Sequence, residues 1–383
     1  MIAYKEIAQI KNVKGINPIT GDYSYEENGR GYLYIDGVLL EKEEAASKIV
    51  SVGEYTYVRY NRYGALEVYS GHTLLKVFER DIRLLDGDVG AYVGYRIYTP
   101  KTLDASENIL SISDGQPLLL HNVPYWLYKV GEEIIGYKIL ECKLSRLNYS
   151  GEVLWTFDLP LRPRSGEPDN LDKVLGIAQG LLWICTRWYR LIALDLETGK
   201  PVHQFSGGWF DEDHSNYIVL DSLGWCFFRE AEKTIVLISN FGVQILDATT
   251  AKIIEGYSFS EVDPQGIGAF EYFDAARLYG DCLTFIAQRH REAHGYRCAG
   301  IFDLKARQFS WIGDIISLEE KMSTGNHLIA QFPLQMEGNR LYIKDAENTL
   351  HIYQKEWRLK AQVRPQGEAT ASAACATAPT VGR

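Results

Sequence analysis

Trp209, Asp211, Glu212, Asp213 and His214 are the densest group of chemically capable side chains in this sequence. An indole beside three carboxylates and an imidazole could hold a basic side chain, an organic cation or a divalent metal, since hard cations prefer several oxygen ligands. The same residues could serve as acid/base groups. Against this stands a simpler reading, an exposed acidic loop whose Trp209 caps a packing boundary. The carboxylates are consecutive and lack the alternating spacing of a calcium loop. Arg162 and Arg164 lie in a preceding polar stretch, LRPRSGEPDN, and could grip carboxylates or phosphates in bidentate fashion. They could equally pair with the acidic group. Arg187, Trp188, Tyr189 and Arg190 form a third cluster, of the residue types enriched at protein-binding hot spots. Tyr60, Arg62, Tyr63 and Phe241 occupy turns that look equivalent, which would extend this cluster into an aromatic and basic rim.

His290, His294 and Cys298 follow at i, i+4 and i+8, which would share one face of a helix and offer weak candidate zinc ligands. No fourth ligand is visible, and Arg289, Arg291 and Arg297 would repel a cation. A solvated basic loop is the plainer expectation. The chain carries no GxSxG, HExxH, phosphate-loop or dinucleotide-loop pattern, so no catalytic residue is nominated.

The elements that must position these groups are legible as a repeat. LIALDLETGKPVHQF (residues 191–205) is an apolar strand, a turn of small and charged residues, and a second strand. Weaker copies are ALEVYSGHTLLKVF, ILSISDGQPLLL, SRLNYSGEVLWTF, VQILDATTAKIIEGYSF, GIFDLKARQFSWIG and TLHIYQKEWRLKA. Seven hairpins spaced roughly 35 to 55 residues apart predict a radial β-repeat. Further strand-like runs ahead of each hairpin bring the repeat to four strands. KVLGIA, LLWICT, LIALDLE and PVHQF make the clearest set, and KIVSV, YTYVRY, ALEVYS and TLLKVF make another. One four-stranded sheet cannot bury both its faces, whereas sheets packed around an axis can. The expected fold is therefore an all-β, seven-bladed propeller of four-stranded antiparallel blades. NYIVLD, GWCFFRE and TIVLIS give one strand more than a blade needs.

Residues 48–363 are assigned to the propeller. Residues 1–47 form an N-terminal extension with a hairpin at Asp36-Gly37, a short helical turn at EKEEAASK and a strand that could close the ring. Residues 364–383 are Ala/Thr/Pro-rich and read as a disordered low-complexity tail.

ALDLETGKPVHQF, and more weakly LNYSGEVLWTFDLP, resemble the repeat of the pyrroloquinoline-quinone-like β-propellers. The matching positions are Ala193, Leu194, Asp195, Thr198 and Gly199, with Gly151, Trp155 and Phe157 in the poorer copy. The resemblance implies the propeller fold. Quinone dehydrogenases of that superfamily add an export signal, a vicinal cysteine pair and a calcium site with a catalytic Asp. This chain has no adjacent cysteines, so no quinone and no other cofactor is expected, and the resemblance points to the non-catalytic, protein-binding members. WD40-like propellers share that use.

A formal charge of −10 disfavours nucleic acid, which needs a basic field. It suits a basic protein partner. MIAYKEIAQIKNVKG is not a secretory signal, no stretch approaches the ~18 apolar residues of a membrane span, and the six cysteines show no framework spacing. Those features point to the cytoplasm. Two functional classes follow. The first is a scaffold for protein–protein interaction, one form of which neutralises a basic partner such as a toxin. The second is an enzyme or small-ligand binder using Asp211, Asp213 and His214 at the channel mouth.

Overall fold

The computed structural model describes residues 2–357, apart from 18, 61–64, 79–82, 85–91, 99–104, 112–123, 163–164, 189, 208–216, 219–224, 293–294 and 329–333. Among the described residues the strands assemble into eight sheets, antiparallel except for a short fifth strand of sheet 5, numbered here in chain order. Sheet 1 is Val13–Ile16, Tyr23–Glu27, Arg30–Ile35 and Val38–Lys42. Sheet 2 is Ala46–Val52, Tyr55–Tyr60, Leu66–Ser70 and Thr73–Phe78. Sheet 3 holds Arg83–Leu84, Tyr92–Tyr98 and Ala105–Ser111. Sheet 4 is Trp126–Val130, Glu133–Lys138, Lys143–Leu147 and Val153–Asp158. Sheet 5 is Leu171–Ala178, Leu181–Thr186, Arg190–Asp195 and Pro201–Gly207. Sheet 6 is Trp225–Arg229, Thr234–Ile238, Gly242–Asp247 and Lys252–Ser258. Sheet 7 is Phe270–Tyr279, Cys282–Arg289, Cys298–Asp303 and Gln308–Asp314. Sheet 8 is Gln335–Glu337, Arg340–Lys344 and Leu350–Trp357, completed by the N-terminal strand Ile2–Ile10.

The second strands of sheets 5, 6 and 7 are covered on both faces, which is why LLWICT, TIVLI and CLTFIAQR read as unbroken apolar runs rather than alternating ones. Buried clusters join sheet 4 to 5, 5 to 6, 6 to 7, 7 to 8, 8 to 1 and 1 to 2. First strands of neighbouring sheets also meet, between sheets 1 and 2, 4 and 5, and 5 and 6. This side-by-side packing is the four-stranded antiparallel propeller read from the sequence. The sheets described number eight, however, against the seven hairpins counted. The additional one is sheet 1, which lies within residues 1–47, the stretch read as an N-terminal extension.

Three local expectations are corrected. EKEEAASK forms no helical turn, because Glu41–Lys42 finish one strand and Ala46 begins the next. TLHIYQKEWRLKA is no hairpin over its described part. Leu350–Trp357 is one continuous strand, and its outer partner is Ile2–Ile10, in register from Ile2↔Trp357 to Ile10↔Leu350. The surplus strand of NYIVLD is accounted for by Tyr217–Ile218, which pair in parallel with the outer strand of sheet 5.

The turn in the opening motif of sheet 5 is built as its chemistry demands. Asp195 Oδ1 accepts hydrogen bonds from the Thr198 amide (2.8 Å) and hydroxyl (2.6 Å), which hold its carboxyl below the usual range. Gly199 takes a left-handed φ of 69°. The turn then exposes the carbonyl of Leu196 to the neighbouring sheet, where Trp155 Nε1 donates to it at 2.8 Å. Trp155 lies against Gly199 so closely that a Cβ there would sit 2.6 Å from the ring. The device recurs. Trp183 Nε1 donates to Ala248 O at 2.9 Å, and Tyr257 OH to Leu304 O at 3.5 Å.

A second repeated feature is a register shift between the third and fourth strands of sheets 2, 4, 5, 6 and 7. It leaves Leu75, Leu154, Val202, Ile254 and Ser310 as the unpaired extra residues. Such bulges bend the outer strand and spoil it as a template for edge-to-edge pairing.

The seam between chain ends carries a buried ionic clasp. His351 Nδ1 lies 2.8 Å from Glu6 Oε1 on the N-terminal strand, and its Nε2 lies 3.2 Å from Asp345 Oδ2. Asn326 Nδ2 also donates to Asp345 Oδ2, at 3.2 Å. Burial alone would lower the imidazole pKa, but the hydrogen bonds to Asp345 and Glu6 carry it above the ordinary value.

Two outcomes are expected. Trp155→Phe should lose about 1 kcal/mol through its unmade hydrogen bond. Gly199→Ala should lose at least about 1–2 kcal/mol to left-handed strain, before any cost of displacing the indole. Denaturant midpoints at constant slope check both. His351, raised in the native state, should stabilise the seam fully below its unfolded pKa of ~6.5 and lose that contribution as pH rises through its higher native value. Unfolding measured against pH should therefore show a decline above neutrality that His351→Gln flattens.

Candidate functional site

In a four-stranded antiparallel sheet, the turn between the second and third strands and the connection to the next sheet emerge at the same end. Residues 139–142, 159–162, 165–170, 187–188, 239–241, 259–269, 290–292, 295–297, 315–328 and 334 therefore share one face of the molecule. Turns between first and second strands, and between third and fourth, occupy the opposite face. This topology brings sequence-distant candidates together.

The connection from sheet 4 to sheet 5 folds into a miniature hairpin. The Asp169 amide donates to Pro160 O (2.9 Å), Leu161 bridges to Pro168, and the Arg162 amide donates to Glu167 O (2.7 Å). Arg162 Nη1 reaches Glu167 Oε2 at 3.0 Å, and its guanidinium lies 5.6 Å from the centre of the Trp188 ring. Two predicted residues from separate connections thus meet. Arg162 finds a carboxylate within its own hairpin, and the acidic loop that could equally pair with it lies outside the described residues. Arg187 is exposed, and its amide donates to Asn170 O at 2.8 Å, fastening the turn to the hairpin. Arg190 begins the third strand, with its amide 3.3 Å from Thr186 Oγ1 and its Nη1 buried without a hydrogen-bond partner.

Sequence reasoning missed the residues beneath this cluster. Asp169 is fully buried, accepting from the Asn170 amide through Oδ1 (2.7 Å) while Oδ2 has no partner. Tyr137 OH donates to Asn170 Oδ1 (3.1 Å) and accepts from the Leu171 amide (3.2 Å), and burial pushes its pKa up. The available signal was the prolines at 160 and 168, which bracket the hairpin.

The same face carries exposed apolar tips. Leu140 is 92% exposed, Leu161 58%, Phe241 74%, Leu318 48% and Met322 70%. Among the described residues, the exposed large apolar side chains in turns of the opposite face are Ile19 and Tyr149. The asymmetry marks one face as the one with surface to hide.

Other candidates fare differently. Trp209, Asp211, Asp213, His214 and Arg164 lie outside the described residues, as do Arg62, Tyr63 and Tyr189. Tyr60 does not join a rim, being buried with its OH donating to Glu67 Oε2 at 2.7 Å. The shared helical face of His290, His294 and Cys298 does not form. His290 opens a turn, His294 is outside the described residues, and Cys298 is a strand residue paired with Ala287. Its thiol is fully buried, donates to Ala287 O at 3.1 Å and is pushed up to about 12 by burial. The neighbouring arginines are also paired. Arg289 Nη2 lies 2.6 Å from Asp314, and Arg297 binds Glu292 (2.6 Å) and Asp314 (2.7 Å).

No known family profile and no curated protein matches the chain. Among solved structures it is similar to the C-terminal WD40 domain of Sif2, at 13% identity and a TM-score of 0.57, over 92% of this chain and 98% of that one. It is also similar to Saccharomyces cerevisiae Sqt1, at 10% identity and a TM-score of 0.53, over 92% and 97%. The chain is a β-propeller. BamB from Moraxella catarrhalis aligns over 92% of this chain and 100% of that one at 14% identity, with a TM-score of 0.44. The assignment of fold rests on the first two. No helix among the described residues is long and apolar enough to cross a membrane.

Proposed function

We propose that this propeller is a non-catalytic scaffold that binds another protein through the face described above. The observation that carries the proposal is the Arg162–Trp188 stack at 5.6 Å, set among the exposed tips Leu140, Leu161 and Phe241. Arg and Trp are over-represented where binding energy concentrates, and apolar side chains beside them exclude water from the contact. The rigid sheets beneath supply preorganisation, so little ordering entropy is lost when a partner docks.

The cations around the stack, Arg162, Arg187 and Arg190, favour a partner segment that offers carboxylates beside apolar side chains. The narrower role, neutralising a basic partner such as a toxin, draws its support from the net charge of −10 rather than from these residues. The competing role of Asp211, Asp213 and His214 as a metal or acid/base site has its support in the sequence alone.

Affinity capture with the wild-type chain, followed by quantitative binding of the recovered partner to purified variants, tests the proposal. Leu140→Asp and Leu161→Asp, both at exposed tips, should each weaken binding at least roughly tenfold, consistent with hot-spot losses. Tyr149→Ala on the opposite face should leave it unchanged. Retained binding in both tip variants, with loss in Tyr149→Ala, would place the interface elsewhere.

A further inference from the structure

The opposite face holds a cavity of about 590 Å³ where turns of sheets 1, 2 and 8 converge. Four carboxylates line it, Asp22 and Asp36 from sheet 1, Glu54 from sheet 2 and Glu337 from sheet 8, against a single lining cation, Arg340. Arg340 Nε is engaged with Gln354 at 3.3 Å, and Tyr55 contributes an aromatic side chain to the wall.

The second observation concerns Asp22. It is only 6% exposed, yet neither of its partners is a cation: Oδ2 accepts from the Thr20 hydroxyl at 2.5 Å and Oδ1 from the Asp36 amide at 3.1 Å. A buried carboxylate ordinarily has a counter-ion or shifts toward its neutral form. Here burial is the chief influence raising its pKa, and Glu337 and Asp36 add repulsion. His72 lies 3.6 Å from Asp36, and beside it and Arg340 the wall still carries an excess of carboxylates.

We infer that this cavity receives the guanidinium of an arginine side chain from a basic protein partner. A planar guanidinium can bridge carboxylates on two walls at once and lie against a tyrosine ring, which a compact ammonium does less well. Entry of the cation supplies the counter-ion that Asp22 lacks. The volume is within the range of sites that enclose a side chain or small ligand. The site takes up the acidic character of the chain and does not depend on the binding role of the other face.

Calorimetric titration at low salt with the peptide N-acetyl-Ala-Arg-Ala-amide tests the assignment, with its citrulline counterpart and agmatine as comparators. Saturable binding of the arginine peptide is expected, weakened at least roughly tenfold by Asp22→Asn and by the exposed-site change Glu54→Gln. Affinity should rise with pH as Asp22 ionises. Arg162→Ala should bind normally, so failure here stays separable from failure of the loop-face reading. No saturable binding, equal binding of the citrulline peptide, or full affinity in both carboxamide variants would overturn the assignment. Tighter binding of agmatine than of the peptide would overturn its attribution to a protein partner.

Discussion

The structure depends on one recurrent contact, a hydrogen-bond donor on an aromatic ring docked onto the carbonyl at the end of a strand in the next sheet. Trp155 meets Leu196 in this way, Trp183 meets Ala248, and Tyr257 meets Leu304. Each bond joins two sheets and satisfies a turn carbonyl, that of Leu196 accepting from Arg146 Nη1 of sheet 4 as well. A four-stranded sheet has no independent core, so these contacts and the apolar clusters around them turn separate sheets into one body. The cluster of Phe259, Phe270, Phe273, Phe285, Phe302 and Phe309 is the densest instance, between sheets 6 and 7.

That coupling fixes which turns share a face. Docking fixes the sheets, and antiparallel connectivity then sorts their turns into two sets. One set carries the Pro160–Asp169 hairpin, the Arg162–Trp188 stack and the exposed apolar tips. The other carries tight turns and the acidic cavity. One side of the molecule thus presents exposed apolar tips beside the Arg162–Trp188 stack, and the other a carboxylate-lined recess.

The repeat was legible because turn chemistry is local. Asp195, Thr198 and Gly199 announce their turn through hydrogen bonds and φ within five residues, and the strands of sheets 2 and 5 fall where their apolar runs end. Asp36-Gly37 marks a hairpin by the same local chemistry, but it falls within residues 1–47, which read as an extension ahead of the repeat although they hold sheet 1. Gln354–Glu356 looked polar enough for a turn, but they lie in a strand completed by Ile2–Ile10, whose pairing spans the whole chain. Site residues follow the same rule. Trp188 and Arg162 could each be nominated from type, but their meeting depends on the hairpin bracketed by Pro160 and Pro168. Asp22, Glu54 and Glu337 are far apart in sequence, and nothing local to any of them signals a common wall.

The central claim is that the face bearing residues 159–170 and 187–190 is where a protein partner docks. Hydrogen–deuterium exchange of the chain, free and saturated with a captured partner, tests it most directly. The account predicts new protection in residues 139–142, 160–170, 187–190 and 239–241, with the turns at 148–152 and 196–200 unchanged. Protection confined to those latter turns or to the outer strands, with 160–170 and 187–190 exchanging as before, would contradict it.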